Sequence, residues 1–120
     1  VAQDAYGEDA QFVVKVDGAQ VGGVQTAHAS HAAGAWDVVN LTGDFSAASN
    51  VTFQFINDAN DGHGHDRNLY LTDLKFDDHA VGNAHASISS AGTGAVYSDV
   101  AELWSNGSVG YDLHWSHDML

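Results

Sequence analysis

The chain has no cysteine in its 120 residues, so disulfide frameworks and thiolate metal sites are excluded. Proline is absent too, and nothing in the residues themselves accounts for it. Only Lys15, Arg67 and Lys75 are basic, against sixteen acids, for a formal net charge of −13. A nucleic-acid partner needs a basic face to meet its phosphates, and an anionic membrane surface asks for the same. The charge balance argues against both. No apolar run approaches the roughly 18 residues of a membrane span, and no basic-then-apolar leader is visible. Neither a Gly-x-Ser-x-Gly elbow nor a helical His-Glu-x-x-His is present, and so small a chain rarely forms a cleft with two opposed acids. These absences point away from an enzyme.

What is present is enough for one domain over 1–120, with the first few residues and 116–120 loose. Apolar residues make up 44% of the chain, so it is no disordered acidic tail despite its charge. Such a chain repels itself unless cations neutralise part of it. Abundant Asp, Gly and Asn without cysteine suits a bacterial exported protein that relies on calcium, which places it outside the cell. The sequence begins at Val1, and the expectation is a module covalently linked to other domains in a longer polypeptide.

Period-two alternation dominates. Gln11–Asp17 sets Phe12, Val14 and Val16 against Gln11, Lys15 and Asp17, the pattern of a half-buried strand. Asp17-Gly18 then reads as a hairpin turn into a run starting at Val21. Further strands are expected at Gln25–Ala29, at Trp36–Leu41, and at Val51–Phe55. Another spans Leu69–Phe76, where the apolar phase slips midway as a bulge would make it. Val100–Trp104 and Val109–Trp115, joined through Asn106-Gly107, read as a hairpin. Residues 78–94 are the least patterned. Short strands between turn signals predict an all-β sandwich, single-domain and without helices.

The stretch Phe55–Leu71, FINDANDGHGHDRNLYL, concentrates the polar chemistry. Asn57, Asp58, Asn60, Asp61, Asp66 and Asn68 fall in one short loop between apolar strands. Calcium takes six to eight oxygens from carboxylates, amides, backbone carbonyls and water, and clustered carboxylates repel unless something positive sits among them. The loop is no EF-hand: its glycine is misplaced and the twelfth-position Glu is missing. A solvated acidic loop is the plain alternative. His28-x-x-His31 and His63-x-His65 offer a transition-metal alternative, though histidines scattered over loops are more often solvated. Asp4, Glu8, Asp9 and Asp73 are candidates for a second, structural metal.

The run Val14-x-Val16-Asp-Gly-x-x-Val21-Gly, then Gln25-Thr-x-x-Ala29-x-His31-x-x-Gly34, resembles the calcium-dependent xylan-binding modules, carbohydrate-binding module family 60. Asn57-Asp58-Ala59 and Asp66-Arg-Asn-Leu-Tyr-Leu71 strengthen the resemblance. So do the lead-in Asp4-Ala-Tyr-x-x-Asp9-Ala-Gln-Phe12 and the closing Leu103-Trp-Ser-Asn-Gly107. The resemblance implies a jelly-roll-like sandwich whose surface calcium binds polysaccharide directly, as in the circularly permuted family 36, vicinal sugar hydroxyls completing its coordination. Carried over, Asp58 and Asp66 would give carboxylate oxygens and His65 a backbone carbonyl, with Asn57, Asp61 and Asn68 behind them. Where the family often has an aromatic after Asn-Asp-Ala, this chain has Asn60 and Asp61, so a stacking platform is missing there. Asn60, His63, His65 and, elsewhere in the sequence, Trp36 are the remaining sugar-contact candidates. The expected function is non-catalytic binding of a xylan- or galactan-like glycan. The alternative is a calcium-stabilised structural domain of an exported adhesin or repeat protein, with no sugar site.

Overall fold

A computed structural model describes residues 1–4, 8–40, 49–58, 67–72, 74–76, 79–80, 86–88, 93–97 and 100–112. Strands alone form the regular structure among them: β1 (Ala2–Asp4), β2 (Gln11–Val16), β3 (Ala19–Thr26), β4 (Asn50–Phe55), β5 (Asn68–Leu71), β6 (Lys75–Phe76), β7 (His79–Ala80), β8 (Ala86–Ile88), β9 (Gly94–Val96), β10 (Ala101–Leu103) and β11 (Ser108–Asp112). They build a four-stranded sheet in the order β1-β5-β10-β9, a five-stranded sheet in the order β3-β2-β4-β11-β8, and the small ribbon β6-β7. Neighbouring strands are antiparallel throughout. The all-β sandwich expected from the alternation is what the chain forms.

Alternation explains the layers. Phe12 and Val14 from β2, Val51 and Phe55 from β4, and Val109 and Tyr111 from β11 turn inward from one sheet. Leu69 and Leu71 from β5, with Ala101 and Leu103 from β10, meet them from the other. Phe12, Phe55, Leu69, Leu103 and Val109 are wholly buried. Phe53 joins them through edge contacts, its ring 5.8 Å from Tyr111 at 90° and 6.4 Å from Phe12, an arrangement aromatic quadrupoles favour. Burial holds the Tyr111 hydroxyl in its neutral form, its pKa pushed up to about 12.

The Asp17-Gly18 turn forms as expected, with φ of 50° and 85°, the left-handed pair a tight hairpin needs. Asp17 Oδ1 also accepts from the Ser49 and Asn50 amides at 2.8 and 3.0 Å, tying the turn to the start of β4.

Five local expectations are corrected. Val21 onward and Gln25 onward belong to one strand, β3. Trp36–Asn40 forms no strand: only Asp37 exchanges backbone bonds, with Val1, too short a ladder for one. Within this segment Val39 packs on the core while Trp36 and Val38 are exposed. The phase slip after Leu71 is not a bulge but the point where the chain leaves the four-stranded sheet, β6 pairing with β7 instead. Weak patterning across 78–94 concealed β7, β8 and the start of β9. The N-terminus is not loose either, because Ala2 is wholly buried and β1 pairs with β5.

One correction bears on the site. β10 and β11 are not a hairpin: they lie in opposite sheets, so the Asn106-Gly107 turn arches across the sandwich. Both strands carry apolar residues at alternate positions, and that pattern serves a shared core as well as a shared ladder. The segment from β4 to β5 makes the same crossing. The register Ser108↔Gln54 and Leu103↔Leu69 puts both crossings at one end of the molecule.

Candidate functional site

The polar loop leaves β4 after Phe55 and returns at β5, so its two ends form a neck at the end of the sandwich. Asn60, Asp61, His63, His65 and Asp66 lie outside the described residues, as does Asp73. The neck itself is fully placed.

Asn57, expected among the metal ligands, braces the backbone. Its Oδ1 accepts from the Gln11 amide at 2.7 Å, and its Nδ2 donates to the Asp9 carbonyl at 2.9 Å. Arg67, across the neck, donates from Nη1 to the Asn57 carbonyl. Only 7% exposed, this guanidinium is a cation fixed at the foot of an acidic loop. Asp58 follows, its amide donating to Asn106 Oδ1 at 2.8 Å and its Oδ1 buried.

On the other arm, Asn68 Nδ2 donates to Asp4 Oδ2 at 3.1 Å, and the Tyr70 hydroxyl donates to the same oxygen at 2.5 Å. Burial, helped by the Asp4 carboxylate, pushes the Tyr70 hydroxyl pKa well above its ordinary value, so Tyr70 stays a donor. Asn68 Oδ1 is buried and accepts no hydrogen bond. A buried amide oxygen without a donor is uncommon and calls for a partner.

The N-terminal acids come beside this neck. Asp9 Oδ1 accepts from Gln3 Nε2 at 2.8 Å, and its Oδ2 lies 3.0 Å from His28 Nδ1. The Gln3 bond first, then His28, holds the Asp9 carboxyl below the usual range, with Arg67 adding to the effect. Among the described residues no three His, Asp or Glu side chains gather to hold a metal. Asp4, Glu8 and Asp9, expected as part of a second metal site, therefore do not form such a group on their own. Asp4 and Asp9 instead anchor β5 and the loop neck.

Trp36 connects to the same region through stacked rings. His31 lies 3.8 Å from Tyr70, nearly parallel at 10°, and Trp36 meets His31 edge-on at 5.8 Å. Ser30 bridges Gln3 in parallel, which puts the 28–37 loop along the free edge of β1. Ala2, opposite Tyr70 in the register, is small enough to let a ring lie across it. Asp37 fixes this loop: its Oδ2 accepts from the His28 and Ala29 amides at 2.6 and 2.8 Å. Those two bonds hold its carboxyl below the usual range. Trp36 remains 40% exposed.

Of the residues singled out in the sequence, Asp58 and Asn68 lie on the two arms of the neck and Trp36 reaches it through His31 and Tyr70. Gln3, Asn106 and Tyr70, which bond there or beside it, were not singled out as site residues. Gln3 is 3% exposed, buried at a position the loose N-terminus seemed to rule out. Asn106 reads in the sequence as part of a turn and of the closing Leu103–Gly107 motif, with no role at the loop.

The donor set suits a hard cation. Asn68 Oδ1 and Asp58 Oδ1 are oxygens, with no thiolate anywhere in the chain, and calcium selects oxygen. The donorless Asn68 oxygen is the observation that fits an ion at this neck.

The described residues thus form a β-sandwich whose Asn57–Asp58 and Arg67–Asn68 arms stand together at one end. The chain belongs to the family described as Ca-dependent carbohydrate-binding module, xylan-binding, family 60, whose model matches residues 1–91. That family comprises non-catalytic modules. No curated protein and no solved structure matches the chain. β9, β10 and β11 lie beyond the matched span, and Asn106 with them.

Proposed function

We propose that the chain binds a xylan- or galactan-like polysaccharide through calcium held in the 58–68 loop, without catalysis. Asp58 and Asp66 supply carboxylate oxygens, His65 a backbone carbonyl, and Asn68 its amide oxygen, with Asp61 alongside. Asn57 and Arg67 set the distance between the loop's two arms. Bound calcium would supply open coordination positions for two adjacent sugar hydroxyls, an oxygen pair able to replace two waters. Asn60 and His63 are further candidates for sugar contact, and Trp36 offers a ring surface. Few atoms are engaged, so binding is weak, selective for diol stereochemistry, and abolished by chelators.

The carrying observation is the buried, donorless Asn68 oxygen beside the neck that also holds Asp58. We further propose that the module works outside the cell, of bacterial origin, linked to other domains in its parent protein. Electrophoresis through gels containing xylan or galactan tests the function. Retardation that disappears with EDTA supports it. A chelator-sensitive melting temperature with no retardation on any polymer would instead indicate a calcium-stabilised structural domain.

A further inference from the structure

Asp58 is the first acid of the loop, and its backbone is held from three sides. Asn57, the residue before it, is tied by its side chain to Gln11 and Asp9, and Arg67 holds the Asn57 carbonyl. The third hold comes from forty-eight positions away, where Asn106 Oδ1 accepts the Asp58 amide at 2.8 Å.

The turn carrying Asn106 is itself fixed. The Gly107 carbonyl accepts from the Phe55 amide at 3.0 Å. The Thr93 carbonyl accepts from the Trp104 and Ser105 amides at 2.7 and 3.3 Å. Gly107 is required by this packing, because a Cβ there would sit 2.5 Å from Thr93 Oγ1. The Asn106 amide is thus aimed by the arch between the sheets rather than by its own loop.

We propose that Asn106 is a positioning residue for the metal loop: by accepting the Asp58 amide it orients the Asp58 carboxylate before calcium arrives. The inference rests on the calcium reading above and adds a residue outside the family-matched segment. It also separates orientation from stability. The Asn106–Asp58 bond is exposed, so water can satisfy the Asp58 amide when Asn106 is removed, and the fold loses little. What water cannot supply is a fixed direction for the backbone leading into the loop. Holding a ligand in its binding geometry beforehand lowers the ordering cost of binding.

The test compares Asn106→Ala and Asn106→Asp in the full chain, using calcium alone as the probe. In EDTA, hydrogen exchange at the Asp58 amide should quicken by about three- to tenfold in Asn106→Ala, with an unchanged melting temperature. Calcium affinity by titration calorimetry should weaken about three- to tenfold in the same variant. Asn106→Asp keeps an acceptor oxygen and should restore slow exchange and at least the original affinity. Unchanged exchange, or unchanged affinity, in Asn106→Ala overturns the proposal. So does a melting temperature that falls in step with affinity and is not rescued by Asn106→Asp, which would make Asn106 merely structural. Should the unaltered protein bind no calcium, the calcium reading fails first and this inference with it.

Discussion

Gln3 offers the sharpest test of how fold and site are joined. It is a buried polar side chain on an edge strand, with its amide engaged at both ends. Oε1 accepts from the Ala10 amide at 2.6 Å, and Nε2 donates to Asp9 Oδ1 at 2.8 Å. Gln3→Leu keeps roughly the same volume and removes both bonds. Ala10 is wholly buried, so its stranded N–H costs about 1–3 kcal/mol. The Asp9 carboxylate is 42% exposed, which limits its lost bond to about 0.5–1 kcal/mol after solvent screening. Better apolar burial by leucine returns about 1 kcal/mol, leaving a net loss of about 0.5–3 kcal/mol. Urea unfolding in EDTA, followed by tryptophan fluorescence, should show a midpoint lower by about 1 M, taking m as about 2 kcal/mol/M. Calcium affinity should fall as well, because Asp9 carries the carbonyl that holds Asn57. Gln3→Glu should also destabilise, by placing two carboxylates together, and Asp9→Asn should then recover part of the loss. A Gln3→Leu protein as stable as the original would refute the reasoning.

Three more perturbations follow from the same geometry. Gly94→Ala puts a Cβ 2.1 Å from the Glu102 carbonyl oxygen, where only backbone can yield, so thermal unfolding should show a loss of about 2–3 kcal/mol. Asp37 has its pKa lowered from 3.8 by the His28 and Ala29 amides. Its stabilisation is therefore complete above that value and is lost as pH falls through the lower folded pKa. Asp37→Asn should reduce stability near neutral pH and flatten the decline below about pH 4 in acid titrations monitored by circular dichroism. Trp36→Ala should weaken glycan binding by about three- to tenfold, at about 1 kcal/mol for a lost ring contact, while leaving calcium affinity unchanged in calorimetry.

Much of this architecture was legible as alternation. Phe12, Val14, Val51, Phe55, Val109 and Tyr111 declare one inner face, and Leu69, Leu71 and Leu103 the other. Which strands pair was not legible. Leu103 and Val109 show the same periodicity whether their strands are neighbours or face one another across the core, so the arch at Asn106-Gly107 read as a hairpin. Small residues also hide strands: Ala86, Ser87, Gly94 and Ala95 carry little hydrophobic signal, and their neighbours in the sheet do the specifying. At the site, acid density and the Asn-Asp-Ala and Asp-Arg-Asn-Leu-Tyr motifs pointed to the loop. They could not reveal that Asn57 serves the backbone, or that Asn106 reaches Asp58 from 48 positions away and Tyr70 reaches Asp4 from 66, because such partners are set by topology alone.

The central claim concerns an ion shared between protein and sugar, and a crystal grown with calcium and a xylo-oligosaccharide tests it most directly. The account predicts an ion bound by Asp58, Asp66 and Asn68, with two adjacent sugar hydroxyls about 2.3–2.6 Å from it. An ion enclosed wholly by protein oxygens, or a sugar bound with no oxygen at the metal, would contradict it.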